Sequence, residues 1–317
     1  MRALVTGAAG FIGRVLCKRL KEEGWHVTAN DIYPNRILDI VDETCTGSYS
    51  IISANNYDVI FHLGASSLLG PSVKDPLSYF HNNVSNFNSM LMNITLTHQL
   101  YGDELPAIIF ASSAATYGDP GRDVALKEED AGHPINPYGW SKWMDEIILE
   151  QTCIAHGMRA YSMRFFNVAG SYQGIGQDLD QPHILTKMSI AGAAKEKFYI
   201  YGNKYDTFDG TCVRDYIHVA DVCDCLIAAA NDIVKQPKTS YTEYNVSTGH
   251  KTSNLQLAKI FNKSFGLEFD YMDVRPGDPG YLYGDNSNTV KELGWKPTMD
   301  IIDIIESHYM HVLEKSR

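Results

Sequence analysis

The stretch VTGAAGFIG at residues 5–13 decides the fold, because three glycines separate a strand-like apolar run from a helix-like run. Gly7, Gly10 and Gly13 form a GxxGxxG pattern. In that context Gly7 permits a tight turn, Gly10 lets the backbone approach a pyrophosphate, and Gly13 lets helix and strand pack closely. The helix N-terminus then faces the phosphates. By itself the pattern also fits a glycine turn selected only for packing.

A carboxylate further along the chain favours the interpretation that the glycine pattern binds a dinucleotide. Asp31 ends the second predicted strand, 18 residues past Gly13, where an acidic side chain binds the ribose 2′-hydroxyl of the cofactor. Because a carboxylate at this place repels a 2′-phosphate, NAD is favoured over NADP. Arg36 lies close enough in sequence to leave NADP open.

Apolar runs alternate with helix-like segments through the first half of the chain. Strands are predicted at 3–7, 26–31, 58–65, 105–113 and 159–167, and helices at 11–23 and 138–155. This alternation predicts an α/β fold of the Rossmann type, with a doubly wound parallel sheet and helices on both faces.

After Asn167, Gly and Asp residues cluster and the predicted secondary-structure elements become irregular. We therefore place a Rossmann domain at residues 1–170, rejoined by part of 210–250. A smaller C-terminal α/β domain at residues 171–317 would bind the substrate.

Bulk composition excludes several classes of protein. With 317 residues and a formal net charge of -11, the chain is large enough for a sizeable core and too acidic for a general nucleic-acid binder. No apolar run approaches the roughly 18 residues that span a membrane, and the N-terminal apolar run is too short for a signal peptide. The six cysteines form no CxxC pair, so we expect no metal site and a reducing, cytoplasmic location.

The stretch NPYGWSK at residues 136–142 holds Tyr138 and Lys142 four positions apart. With 19 tyrosines in the chain, this spacing is expected about once by chance and proves nothing alone. A lysine one helical turn away and a nicotinamide cation would favour the tyrosine phenolate, which makes Tyr138 a usable proton acceptor. Ser113 ends a predicted central strand, where ligands of such sheets bind, and could share a hydrogen bond with Tyr138.

These features, together with RFFNVAG (164–170), DGTCVRDYIH (209–218) and RPGD (275–278), resemble the sugar-nucleotide 4-epimerases of the extended short-chain dehydrogenase/reductase family. The resemblance covers nearly the whole chain. It implies an NAD-dependent isomerase of carbohydrate and galactose metabolism that interconverts UDP-glucose and UDP-galactose through a transient 4-keto sugar. It also implies a homodimer.

The resemblance assigns roles residue by residue. The implied catalytic residues are Ser113, Tyr138 and Lys142. The implied NAD-binding residues are Gly7, Gly10, Phe11, Ile12, Gly13, Asp31, Asp39, Ile40, Leu63, Gly64, Ala65, Asn82, Tyr138, Lys142 and Phe166. The implied UDP-sugar-binding residues are Ser113, Tyr138, Asn167, Leu185, Arg214, Arg275 and Asp278.

The sequence departs from the family pattern at several places. So few residues separate Asp31 from Asp39 that the third strand is expected to be short or missing, which loosens the adenine side of the site. Leu282 stands at the position that the family uses to gate substrate size. UDP-N-acetylglucosamine or a UDP-pentose therefore stays open as the substrate.

Two other functions stay open on the same scaffold, a 4-keto reductase and a 4,6-dehydratase. A dehydratase normally carries an Asp-Glu pair after the strand-end residue, whereas this chain has Ala114 and Ala115. A non-catalytic NAD sensor is a third alternative, although such relatives tend to lose the Tyr-Lys pair.

Overall fold

A seven-stranded sheet lies at the centre of the fold, and every strand in it is parallel to its neighbours. The computed structural model describes residues 1–45, 57–102, 104–237, 240–274 and 278–316. Numbered in chain order, the strands of this sheet are β1 (Arg2–Thr6), β2 (His26–Asn30), β3 (Glu43–Cys45), β4 (Val59–His62), β5 (Ala107–Ser113), β6 (Arg159–Phe165) and β13 (Ser240–Val246). Their order, β13-β6-β5-β4-β1-β2-β3, reverses direction between β1 and β4, as in a doubly wound fold. The predicted Rossmann-type fold is confirmed.

Helices cover both faces of the sheet because neighbouring strand residues point to opposite sides. Ala3 and Val5 of β1 pack in one core cluster, while Leu4 packs in another. The helices are α1 (Phe11–Glu22), α2 (Leu69–Lys74), α3 (Pro76–Tyr79), α4 (Asn86–Tyr101), α5 (Pro137–His156), α6 (Ile184–Ala194), α7 (Val219–Ile233), α8 (Asn254–Phe265), α9 (Ser287–Leu293) and α10 (Ile301–Lys315), with a π-helix at Phe80–Ser85. Helices α1 and α7 pack on the first face, and α4 and α5 on the second.

The other strands in the described part of the chain are two to four residues long and form four small sheets. They are β7 (Asn167–Ala169), β8 (Ser171–Tyr172), β9 (Ile175–Gly176), β10 (Phe198–Tyr201), β11 (Val213–Arg214), β12 (Tyr216–His218), β14 (Thr252–Ser253), β15 (Phe269–Met272) and β16 (Tyr281–Leu282). Helices α6, α8 and α10 pack around a third core cluster beside them. Strands this short leave little hydrophobic periodicity, which explains the irregular appearance of the sequence after Asn167.

Two sequence expectations bear on the large sheet. The third strand is present but has only three residues, Glu43–Cys45. The strand Ser240–Val246 returns to the large sheet and pairs with β6. Cys223 and Cys225 lie fully buried on α7. Among the described helices, none combines the length and the apolar character required to cross a bilayer.

Candidate active site

The carboxyl ends of the central strands bring the candidate residues to one edge of the sheet. Thr6 pairs with His62 across β1 and β4, and His62 pairs with Phe110 of β5. Ser113 pairs with Phe165 at the end of β6. The residues that follow these positions therefore meet at one edge, and they are Gly7, Leu63, Gly64, Ala65, Ser113, Phe166 and Asn167.

The glycines of the first turn permit contacts that no other residue could make. Gly7 has a positive φ of 66°, and a Cβ on it would lie 2.6 Å from the backbone nitrogen of Gly64. A Cβ on Gly13 would lie 2.2 Å from the carbonyl oxygen of Gly7, because α1 crosses the turn so closely. Gly10 caps α1 without a side-chain acceptor, which leaves the positive end of the helix open to a bound anion.

Asp31 joins the end of β2 to the glycine turn. One carboxylate oxygen accepts a hydrogen bond from the Ala9 amide at 2.9 Å, and the other accepts from the Tyr33 amide at 3.0 Å. Phe11 and Ile12 in the first turn of α1 pack partly against the core. This arrangement fits a dinucleotide, because the backbone approaches the place of the pyrophosphate and a carboxylate stands at the end of β2.

Arg36 is engaged by a carboxylate from a distant segment. Its guanidinium lies 2.8 Å from Asp178, and Asp178 also pairs with Arg14 of α1 at 3.1 Å. Arg36 further lies over the ring of Tyr33, 5.7 Å from its centroid. The cation that left NADP open in the sequence therefore has an acidic partner that sequence reasoning missed.

The other predicted cofactor residues take different positions. Asp39 is exposed after a short 3₁₀ turn, and Ile40 packs against the first core cluster. Leu63 packs against the same cluster, whereas Phe166 is buried in a fourth cluster beside Tyr117. Asn82 is exposed in the π-helix and donates to the Ser66 hydroxyl at 3.0 Å.

Asn83, next to Asn82, connects two segments beside the candidate site, and the sequence did not reveal it. Its side chain is buried, accepts from the Ser66 amide at 2.8 Å and donates to the Ser66 carbonyl at 3.0 Å. It also donates to the Ser141 hydroxyl on α5 at 2.8 Å. Asn83 therefore connects the loop after β4 to α5, and a π-helix such as the one that carries it is common at functional sites.

Helix α5 places Tyr138 and Lys142 beneath the strand-end serine. The helix begins sharply because Asn136 accepts from the Gly139 amide and Pro137 occupies the first position. Tyr138 is nearly buried, and its hydroxyl shares a hydrogen bond with Ser113. Lys142 is 3% exposed, donates to the Ala111 carbonyl at 2.8 Å and lies 4.6 Å from the centre of the Phe110 ring. The three predicted catalytic residues are thus brought together.

The protein's own groups make Tyr138 a weaker acid, contrary to the sequence expectation. Burial raises the pKa of the Tyr138 hydroxyl, and the hydrogen bond with Ser113 only partly opposes it. Burial lowers the pKa of the Lys142 ammonium, and the carboxylates of Asp145 and Glu146 oppose that change. Burial therefore favours the neutral forms of Tyr138 and Lys142 until another charged group enters the pocket.

Three of the predicted substrate-binding residues, Asn167, Arg214 and Asp278, lie on or beside the short strands outside the large sheet. Asn167 donates its backbone amide to Asp215 at 2.9 Å, which places it beside Arg214. Arg214 is partly exposed and donates to the carbonyls of Val213 and Pro279. Asp278 lies next to Pro279, and Leu282 pairs with Arg214 between β11 and β16.

One predicted substrate residue lies in the core, and another falls outside the described residues. The Leu185 side chain is fully buried in the third core cluster, so only its backbone at the start of α6 could face a ligand. Arg275 lies outside the described residues.

Comparison with known proteins places this geometry in context. A family model described as the NAD dependent epimerase/dehydratase family matches residues 3–247. The UDP-glucose 4-epimerase of Lactobacillus helveticus is 34% identical over 322 residues, which cover 96% of this chain and 94% of that protein.

Solved structures give the same picture over the full length. A UDP-glucose-4-epimerase from Stenotrophomonas maltophila, with bound NAD and formylated UDP-arabinopyranose, superposes with a TM-score of 0.88 at 27% identity and covers 100% of this chain and 99% of that chain. A UDP-glucose 4-epimerase from Bifidobacterium longum, in complex with NAD+ and UDP, gives a TM-score of 0.85 at 29% identity with the same coverage.

Proposed function

Because the chain belongs to the NAD dependent epimerase/dehydratase family, we propose that it is an NAD-dependent UDP-sugar 4-epimerase that interconverts UDP-glucose and UDP-galactose. The observation that carries this proposal is the meeting of Ser113, Tyr138 and Lys142 with the glycine turn at one edge of the sheet. The full-length similarity to UDP-glucose 4-epimerases supports the choice of reaction.

The residues present fit an NAD molecule, which accepts and returns a hydride when it is bound. The turn from Gly7 to Gly13 would receive the pyrophosphate through the backbone amides at the start of α1. Asp31 would accept hydrogen bonds from the adenosine ribose. Lys142 has ammonium protons beyond the one that it gives to Ala111, and these would bind the nicotinamide ribose.

Tyr138 would act as the acid and base of the reaction. Its phenolate oxygen would take the proton from the sugar 4-hydroxyl as the C4–H hydride leaves for the bound NAD. The hydroxyl formed in this way would return the proton after the keto sugar rotates and the hydride comes back. Ser113 shares a hydrogen bond with Tyr138. This bond would keep the transferred proton between the sugar 4-hydroxyl and the tyrosine oxygen. The sugar must be held loosely so that it can rotate, and the tight binding contacts would therefore be made to the diphosphate.

Arg214 and Asn167 would bind the diphosphate. Asn167 lies on β7 and Arg214 on β11, both short strands outside the large sheet. An arginine bonds strongly to phosphate oxygens. We propose that residues 171–317, apart from the strand that returns to the sheet, form the sugar-nucleotide-binding domain. The six unpaired cysteines are consistent with a cytoplasmic location as part of the same proposal.

A homodimer is also part of this proposal. Helices α4 and α5 lie against one another and expose apolar side chains at helical spacing, as a second copy of the chain would cover. These residues are Met92, Leu96, Leu100, Trp140, Met144 and Ile147. Sedimentation of the purified chain at twice its mass of 35.4 kDa tests the proposal.

Replacing Tyr138 by Phe tests the catalytic assignment. We expect Tyr138→Phe to lower the turnover of UDP-galactose to UDP-glucose by at least about a thousandfold, because the proton acceptor is lost. UDP should still bind with wild-type affinity. The matched control is Tyr199→Phe, which removes an exposed hydroxyl far along the chain on β10. Turnover of Tyr138→Phe at the wild-type rate would show that the mechanism is wrong.

The same assay, followed by NMR, separates the substrates. Conversion of UDP-galactose without added cofactor would support tightly held NAD. Conversion of UDP-N-acetylglucosamine or a UDP-pentose alone would move the proposal to that substrate and to the space beside Leu282. Elimination of water is not expected, because Ala114 and Ala115 offer no acid or base.

A further inference from the structure

Asp145 is a buried carboxylate that the proposed reaction does not use. Its side chain is 1% exposed, and among the described residues its Oδ1 atom has no hydrogen-bond partner. A buried charge without a partner is costly, so such a group usually carries a proton or serves a neighbour. Burial raises the pKa of the Asp145 carboxyl, and Lys142 opposes that change.

The neighbouring carboxylate also acts on Lys142 but is paired with an arginine, whereas no cation pairs directly with Asp145 among the described residues. Glu146 accepts two hydrogen bonds from Arg164, at 3.0 Å from Nε and 2.7 Å from Nη2, and a third from Ser112. Asp145 lies three positions after Lys142, so the two side chains share one side of α5 a single turn apart.

Lys142 needs this support in the complex with its cofactor. It is 3% exposed and holds its charge with one carbonyl and one aromatic ring, without a direct ion pair among the described residues. A positively charged nicotinamide beside it would repel the ammonium further. An uncharged Lys142 could no longer favour the Tyr138 phenolate.

The other titratable groups on the elements packed against α5 leave the Asp145 charge uncompensated. Arg164 serves Glu146, with Glu243 3.8 Å away from it. His62 stays neutral because burial lowers its pKa to about 3. Tyr79 donates to the Leu68 carbonyl at 2.7 Å. The remaining groups on or between α2, α3, the π-helix and α4 are Lys74, Asp75, His81, His98 and Tyr101, and all of these except His98 are exposed.

We propose that Asp145 is a positioning residue of the reaction, whose carboxylate keeps Lys142 an ammonium ion and whose ionisation follows the charge of the bound cofactor. With NAD+ in the site, Asp145 releases its proton to solvent and balances the added positive charge. With NADH, which lacks that charge, Asp145 takes up a proton from solvent. This inference rests on the proposed function.

The first test is an infrared difference spectrum between enzyme loaded with NAD+ and enzyme loaded with NADH. We expect the C=O band of a protonated carboxylic acid in the NADH state only, and we expect Asp145→Asn to abolish this band. Glu150→Gln is the matched control, because it removes a carboxylate two turns further along α5 from Lys142. A wild-type spectrum without the band, or the same band in Asp145→Asn, would overturn the proposal.

The second test is the pH profile of turnover. Removing the Asp145 charge lowers the pKa of Lys142, so Lys142 loses its proton at a lower pH. The alkaline limb of kcat in Asp145→Asn should move down by about one pH unit, a loss of about tenfold at that limb, with little change below it. A merely structural role would lower kcat equally at every pH, and that outcome contradicts the inference.

Folding and cofactor binding are checked separately. Asp145→Asn keeps the shape of the side chain, and Asp145→Leu serves as a second variant if the amide is not tolerated. Failure of the wild-type protein to bind NAD would overturn the proposed function. Binding of NAD with unchanged spectra and pH profiles in the variants would overturn only the role of Asp145.

Discussion

Two carboxylates that each bind an arginine lie in different surroundings, one behind the catalytic helix and one on the surface. Glu146 and Arg164 meet between α5 and the sheet, where their side chains are 2% and 1% exposed. Asp178 meets Arg36 on the surface, where the side chains are 42% and 52% exposed. The distances, 2.7 Å and 2.8 Å, are almost equal. Burial, not geometry, should therefore decide how much each pair contributes to stability.

The largest effect is expected from Glu146→Gln. It leaves the Arg164 guanidinium buried without a carboxylate, and breaking a buried pair in this way costs about 3–5 kcal/mol of unfolding free energy. Urea unfolding measures the change, and Glu150→Gln on the same helix is the matched control. A loss below about 1 kcal/mol would break the comparison, because the buried pair would then behave like a surface pair.

Sequence patterns predict the local motifs of the candidate site but do not predict the two ion pairs compared here. The glycine turn, the strand-end Ser113 and the Tyr138–Lys142 pair are local patterns, and their positions in the fold follow from the order of strands. Asp145 and Glu146 are adjacent and chemically alike, so the sequence does not say which of them meets Arg164. Asp178 reaches Arg36 across 142 positions, and no local rule predicts contacts at that separation.

The length of an element also decides what the sequence shows. Strand β5 has seven residues and a continuous apolar run, which predicts a buried parallel strand. Strand β11, which carries Arg214, has two residues and no period to detect. For the same reason the substrate side was predicted from family resemblance, whereas the cofactor side was also predicted from physical chemistry.

An intermediate effect is expected at a buried contact that involves no charge. In Gly13→Ala the new Cβ would lie 2.2 Å from the Gly7 carbonyl oxygen, so α1 must move away from the turn. Overpacking of this kind costs about 3 kcal/mol, and NAD should bind more weakly because the turn is displaced. Gly70→Ala is the control, because nothing lies within 4 Å of its added Cβ.

Thermal unfolding and NAD titration check this prediction together. Equal stability of the Gly13→Ala and Gly70→Ala variants would show that the turn yields without cost. The comparison would then concern buried charge alone instead of burial in general.

The smallest effect on stability is expected from Asp178→Asn, because the ion pair with Arg36 lies on the surface. This pair should instead influence which cofactor binds. Exposed ion pairs contribute about 0–1 kcal/mol each, so loss of the Asp178 pairs with Arg36 and Arg14 should lower the unfolding free energy by less than about 2 kcal/mol. The substitution would, however, release Arg36, the cation nearest in sequence to Asp31. A free guanidinium there could pair with a 2′-phosphate, which Asp31 otherwise repels. We expect the affinity for NADP to rise by a few-fold relative to NAD.

Asp180→Asn is the matched control for this last prediction, because it removes one negative charge from the same segment without breaking the ion pair with Arg36. Titration of both variants with 2′,5′-ADP and with 5′-AMP isolates the contribution of the 2′-phosphate. A gain for 2′,5′-ADP in Asp178→Asn alone would assign the discrimination to the ion pair. An equal gain in both variants would instead reflect the overall charge of the segment. The surface pair would then contribute to neither stability nor cofactor choice.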